Sequence, residues 1–180
     1  MKIPTKYHPL SKTFHWLLVV MLAVQFTVGW IMPGIRRNMT PSELISFHMA
    51  FGITILGVVL LRLIWRLIYP VPDPEPGMPQ WQEQAARTVH YLLYATIIAL
   101  PLTGWWLASA NGWSVSVFGI VTLPALVAPS PSMEHLADIA HVGTVVIAVI
   151  IIGAHVLAAL YHYFVLKDKV LQRMLPGKSA

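Results

Sequence analysis

Histidine carries the chemistry in this sequence. Eight of the 180 residues are histidine and none is cysteine. His15, His48, His141 and His155 sit inside long apolar runs, where ionisable side chains are rare, face the protein interior and mark function. The run AHVGTVVIAVIIIGAHVLAALYHYFVLKDK places His141 and His155 fourteen positions apart. At about 100° and about 1.5 Å per residue this is nearly four helical turns, so both rings point the same way about 21 Å apart. Two imidazoles near opposite faces of a bilayer suit one helix that holds one half of two stacked haem sites. A low-spin b-type haem takes two neutral imidazoles from facing helices, each with its second ring nitrogen held by a neighbouring acceptor. By depth, His48 pairs with His141 and His15 with His155. Interior histidines with ordinary hydrogen bonds, or a proton path, are the competing reading. Four rings paired by depth across three helices favour ligation.

His162 and His90 also lie near the depth of His15, and on depth alone His162 could replace His155. His155 is preferred because it is deeper in apolar sequence, with the small residues Gly153, Ala154, Ala158 and Ala159 leaving room for a flat macrocycle. His90 and His162 are then expected to bond a haem propionate or a quinone carbonyl, or to deliver protons; ordinary interfacial histidines are the alternative. Arg62 falls fourteen positions after His48 on the same face and could pair with a propionate. Arg66, one turn on, is read as snorkelling to lipid headgroups. Arg36 and Arg37 lie in a short link beside the outer pair and could draw a small anion to it. A plain loop charge pair is the alternative. His8 and His135 lie outside the apolar runs and are read as solvated.

The elements that must position these residues are membrane spans. The chain is 57% hydrophobic and 11% charged, with mean hydropathy +0.68, where a soluble domain has roughly 25% charged residues. One integral-membrane domain over residues 1–180 is expected, all-α, with spans at about 10–32, 42–69, 83–109 and 133–166. Each is long enough for a hydrocarbon core of about 30 Å. The first lacks a small-residue cleavage site and is read as retained. Thr40-Pro41 or Ser42 is a plausible start for the second, with Glu43 in its first turn. The stretch YPVPDPEPGMPQ cannot be helical and reads as an exposed linker. Lys2, Lys6, Lys12, Arg62, Arg66, Arg87, Lys167, Lys169, Arg173 and Lys178 share the side of both termini, against Arg36 and Arg37 on the other. The positive-inside rule therefore puts both termini in the cytoplasm. Without cysteine there is no disulfide, iron–sulfur cluster, Cys-ligated zinc or C-x-x-C-H haem attachment. A net charge of +5 is low for a nucleic-acid binder of this size.

These residues carry a resemblance. FHWLL in the first span, FHMAFGITILGVVLLRLIWRL with YPVPDP in the second, ALPLTGWWLAS in the third, then AHVGT, GAHVLAALYHYFVLKDKVL and RMLPG resemble the bacterial cytochrome b561 family over essentially the whole chain. The resemblance implies a four-helix inner-membrane protein with two b haems, the inner held by His15 and His155 and the outer by His48 and His141. Within the family it is most similar to the superoxide oxidase branch, which implies superoxide as donor at the outer side and ubiquinone as acceptor, with His90 and His162 near the quinone. Met49 stands where other branches often carry Lys. The Ala110–Ser132 connection has no Lys or Arg, so any cationic funnel rests on Arg36 and Arg37. The expected function is superoxide:ubiquinone oxidoreductase. The alternatives are an electron-transfer subunit for a periplasmic dehydrogenase or hydrogenase partner, and a histidine-based proton or metal transporter without haem.

Overall fold

The computed structural model describes residues 7–35, 39–69 and 71–175. Arg36, Arg37, Lys2, Lys6 and Lys178 fall outside the described residues. The chain runs α1 (Pro9–Ile31), α2 (Glu43–Ile68), α3 (Gln80–Ala110), a two-stranded hairpin of β1 (Ser116–Val117) and β2 (Val121–Thr122), and α4 (Pro131–Tyr161), which continues as a π-helical turn, His162–Leu166. All four helices are long and apolar enough to cross a bilayer.

The helix starts follow from local chemistry. Pro9 and Pro131 open α1 and α4, where a missing N–H costs nothing and the fixed φ is already helical. Ser42 caps α2, its Oγ accepting from the Ile45 N–H at 3.3 Å, and Glu43 in the first turn suits the helix dipole. The third helix begins at Gln80, three residues before the expected Glu83, because Pro79 ends the extended linker and nothing after it opposes helix. The fourth begins at Pro131, two before the expected Met133. Its end is set by Lys167, whose left-handed φ of 54° closes the π turn.

At the end that carries both termini, the segment after α4 folds back on α1: the Trp16 indole N–H donates to the Met174 carbonyl at 2.9 Å and the Lys12 ammonium to the Leu175 carbonyl at 3.0 Å. At the opposite, loop end, Val117 pairs with Val121 and the hairpin turns through Phe118, Gly119 and Ile120, the first two left-handed at φ 50° and 76°, as a short loop between twisted strands favours. Trp113 donates to the Met39 carbonyl and Trp105 to the Pro124 carbonyl, each at 3.0 Å, folding the connection over the helices.

Packing is uneven. Helix α1 packs on α2, α2 on α3 and α3 on α4, whereas α4 stands away from the α1 and α2 backbones. The densest core is Leu18, Met21, Ile55 and Val59, with Tyr94, Ile97 and Ile98 of α3 against it. It lies midway along the bundle, between His15 and Gln25 on α1 and between His48 and Arg62 on α2. Helix α4 buries only Ala137 and Ala148. A bundle that keeps its fourth helix at a distance has a slot, and histidine rings reach across it.

Candidate metal centres

A metal–imidazole bond is about 2 Å and the ring nitrogen lies about 1.1 Å from the ring centroid, so two imidazoles trans on one metal have centroids about 6.3 Å apart. The fold brings His48 of α2 to His141 of α4 with centroids 6.4 Å apart and planes at 89°. It brings His15 of α1 to His155 of α4 at 6.2 Å and 70°. Both separations match a trans pair. Among the described residues, no group of three or more His, Asp or Glu is placed to hold a metal. Two-ligand sites of this kind suit a metal whose remaining positions a macrocycle supplies.

The loop-end pair is held by small residues and one hydroxyl. A Cβ at Gly104 would sit 3.1 Å from His141 Cε1, and one at Gly29 would sit 3.2 Å from His48 Cε1, so each glycine gives its facing ring the room it occupies. The Thr103 hydroxyl donates its one proton to the α3 carbonyls of Ala99 and Leu100, at 3.0 Å each. It lies 3.1 Å from His141 Nδ1. With its proton on a carbonyl, the Thr103 oxygen would accept from Nδ1–H, the tautomer that leaves the Nε2 lone pair free for a metal. Pro101 supports this geometry: buried inside α3 two residues earlier, it cannot donate to the Ile97 carbonyl and loosens the helix where Thr103 turns inward.

The pair at the end with the termini is a cluster. His90 of α3 lies 5.4 Å from His155, too close for two rings trans on one metal. Its Nδ1 donates to the Ala86 carbonyl at 2.7 Å, so its Nε2 is an acceptor. Arg62 donates through Nε to the Tyr94 hydroxyl at 3.1 Å and through Nη1 to the Ser11 carbonyl at 3.3 Å. Arg66 lies over the Tyr94 ring at 5.9 Å, on protein rather than simply among headgroups. His162 is drawn into a different contact, its Nδ1 2.5 Å from Asp168 Oδ2. An added Cβ at Gly153 meets nothing within 4 Å, and Ala154 and Ala158 are exposed.

The profile described as prokaryotic cytochrome b561 matches residues 6–177. The chain belongs to the prokaryotic cytochrome b561 family. "Cytochrome b561 homolog 2" of Escherichia coli K12 is 31% identical over 178 residues, covering 98% of this chain and 94% of its own. "Cytochrome b561 homolog 1" of the same organism is 32% identical over 176 residues, covering 94% and 98%. A "probable superoxide oxidase", CybB, of Yersinia pestis is 29% identical over 173 residues, covering 96% and 97%.

As a cytochrome b561, the chain is a multi-pass bacterial membrane protein of electron transfer, and the family implies b-type haem. The two ring pairs across the α4 slot fit such a group, by their separation and by the Thr103 contact that frees a ring nitrogen. Several contributors to this cytochrome escape a reading of the sequence. Thr103 and Gly104 sit in an apolar span with nothing to single them out until α3 is placed against His141. His8, read as solvated, is exposed, but its Nδ1 accepts from the Leu10 N–H and its ring packs on Trp65 and Tyr69. At the loop end, a groove of about 300 Å³ is lined by Ile35, Leu107, Pro131, Glu134, His135 and Asp138. Asp138 acts electrostatically on His141.

Proposed function

We propose that this cytochrome holds two b haems by bis-His ligation, the outer on His48 and His141 and the inner on His15 and His155. In this reading it carries electrons through the bacterial inner membrane from superoxide to ubiquinone. The observation that carries the reading is the pair of trans-compatible ring separations, one at each end of the same helix. His141 and His155, about 21 Å apart along the helix axis, would each hold one haem, which would supply a one-electron carrier at either end.

The residues of the chain do the rest. The apolar cluster of Leu18, Met21, Ile55 and Val59 lies between the two ends. His48 and His141 would hold the outer haem between them, and that haem would supply the one-electron acceptor for superoxide. Two superoxide anions release one electron each and leave as two O₂; ubiquinone takes both electrons and two protons to become ubiquinol. Arg36 and Arg37 are the cations offered for drawing the anion inward. Arg62, held by Tyr94 and Ser11, is offered as the partner of an inner propionate. His90 presents its Nε2 acceptor and His162, bridged to Asp168, forms a second polar contact where a quinone would take up protons. The relative named a probable superoxide oxidase supports the choice of donor.

A second reading is favoured by the loop-end groove. Glu134 and Asp138 line it, and carboxylates repel a small anion while attracting a cationic or protein donor. In that reading a periplasmic dehydrogenase or hydrogenase partner supplies the electrons. Rapid mixing of oxidised protein with superoxide, with and without ubiquinone, separates the two. Fast reduction of the haem bands followed by re-oxidation with quinone is the expected result. Bands that stay oxidised with superoxide yet respond to quinol would contradict the superoxide reading and leave the partner reading standing.

A further inference from the structure

Two buried polar atoms at the loop-end site have no hydrogen-bond partner among the described residues: Gln25 Oε1 and His48 Nδ1. A buried polar group without a partner is destabilising, and both of these lie where α1 meets the His48 turn of α2. The Gln25 amide nitrogen donates to the His48 backbone carbonyl at 2.9 Å. A backbone carbonyl can only accept, so nitrogen must face it and the amide oxygen must point away. Gly52 makes the approach feasible, since a Cβ there would lie 3.1 Å from that nitrogen. One turn further along α1, Gly29 receives the His48 ring, with its added Cβ 3.6 Å from Nδ1. Gln25 and Gly29 therefore share one face of α1, the face against which the His48 backbone carbonyl and the His48 ring both pack.

We infer that Gln25 is the positioning residue of His48, its amide oxygen accepting from Nδ1–H through one bridging water. It does for His48 what the Thr103 hydroxyl does for His141. A ring nitrogen that donates to a fixed acceptor holds the neutral tautomer, presents Nε2 to the metal and makes that ligand more basic. A more basic ligand favours ferric over ferrous iron, so Gln25 lowers the midpoint potential of the outer haem. The inference rests on the ligand reading above.

Gln25→Met keeps the length of the side chain and removes both polar atoms; Gln25→Glu keeps an acceptor and adds charge. In purified dihaem protein, Gln25→Met should raise the outer haem midpoint and shift the largest g-value of its ferric EPR signal, with the inner haem unmoved. Gln25→Glu should shift the same midpoint downward, and it decides the matter if the Met variant does not accumulate. An outer midpoint and g-value unmoved in either variant would overturn the role. His48→Ala separates the two claims. Loss of one haem there, with the Gln25 variants silent, sinks only the Gln25 role. Retention of both haems would sink the ligand reading beneath it.

Discussion

At the scale of single residues, the two ligands proposed for the outer haem each depend on a neighbour that aims them. Thr103 is the plainest case, because its proton goes to its own helix and its oxygen is left to accept from His141. Thr103→Val keeps the shape and removes the acceptor. Outer-ring partners of this kind are worth about 10–100-fold in metal affinity. Haem titration of the apoprotein should therefore show one of two sites weakened by a factor in that range, with the other unchanged; two unweakened sites would remove Thr103 from the account. The meeting of His141 with His48, and of His155 with His15, was legible in the spacing, because a helix converts fourteen positions into one face at two depths. The neighbours were not legible. A threonine, a glutamine and two glycines within apolar spans carry no signal until the facing helix is known.

At the scale of elements, α4 is the spine and α3 is its support. Helix α3 packs closely along α4, and Ala148, halfway between His141 and His155, is buried there. The remaining helices keep their distance, which leaves the slot. The four helices, their proline-rich linker and the Ser42 start were readable from hydropathy and turn chemistry. The hairpin at Ser116–Thr122 was not, since two-residue strands fall below any periodic signal. Nor was the closure at the end with the termini, which depends on contacts far apart in sequence. Arg173 donates to the Asp73 carbonyl at 2.7 Å and pairs with Glu75 at 2.9 Å, tying the segment after α4 to the linker before α3. A pair of this kind contributes about 1 kcal/mol or less. Arg173→Ala should speed proteolytic clipping after Lys167 or Lys169 several-fold while leaving the haem spectrum intact. A changed spectrum would show that the closure also shapes the inner site.

At the scale of the whole molecule, one arrangement serves both ends: two ring pairs across a slot, with an apolar cluster between them. Polarity differs at the two ends. Arg62, Arg66 and Arg173 gather at the end with the termini, as the positive-inside rule asks of a cytoplasmic face, while the groove at the loop end carries Glu134 and Asp138. All of this depends on two haems held by two pairs of histidines. The most direct test is haem counted per chain by pyridine haemochrome in the purified wild type and in His141→Ala. The account predicts two haems in the wild type and one in the variant, the survivor keeping a bis-His ferric EPR signal. One haem in the wild type, or two in His141→Ala, would contradict it.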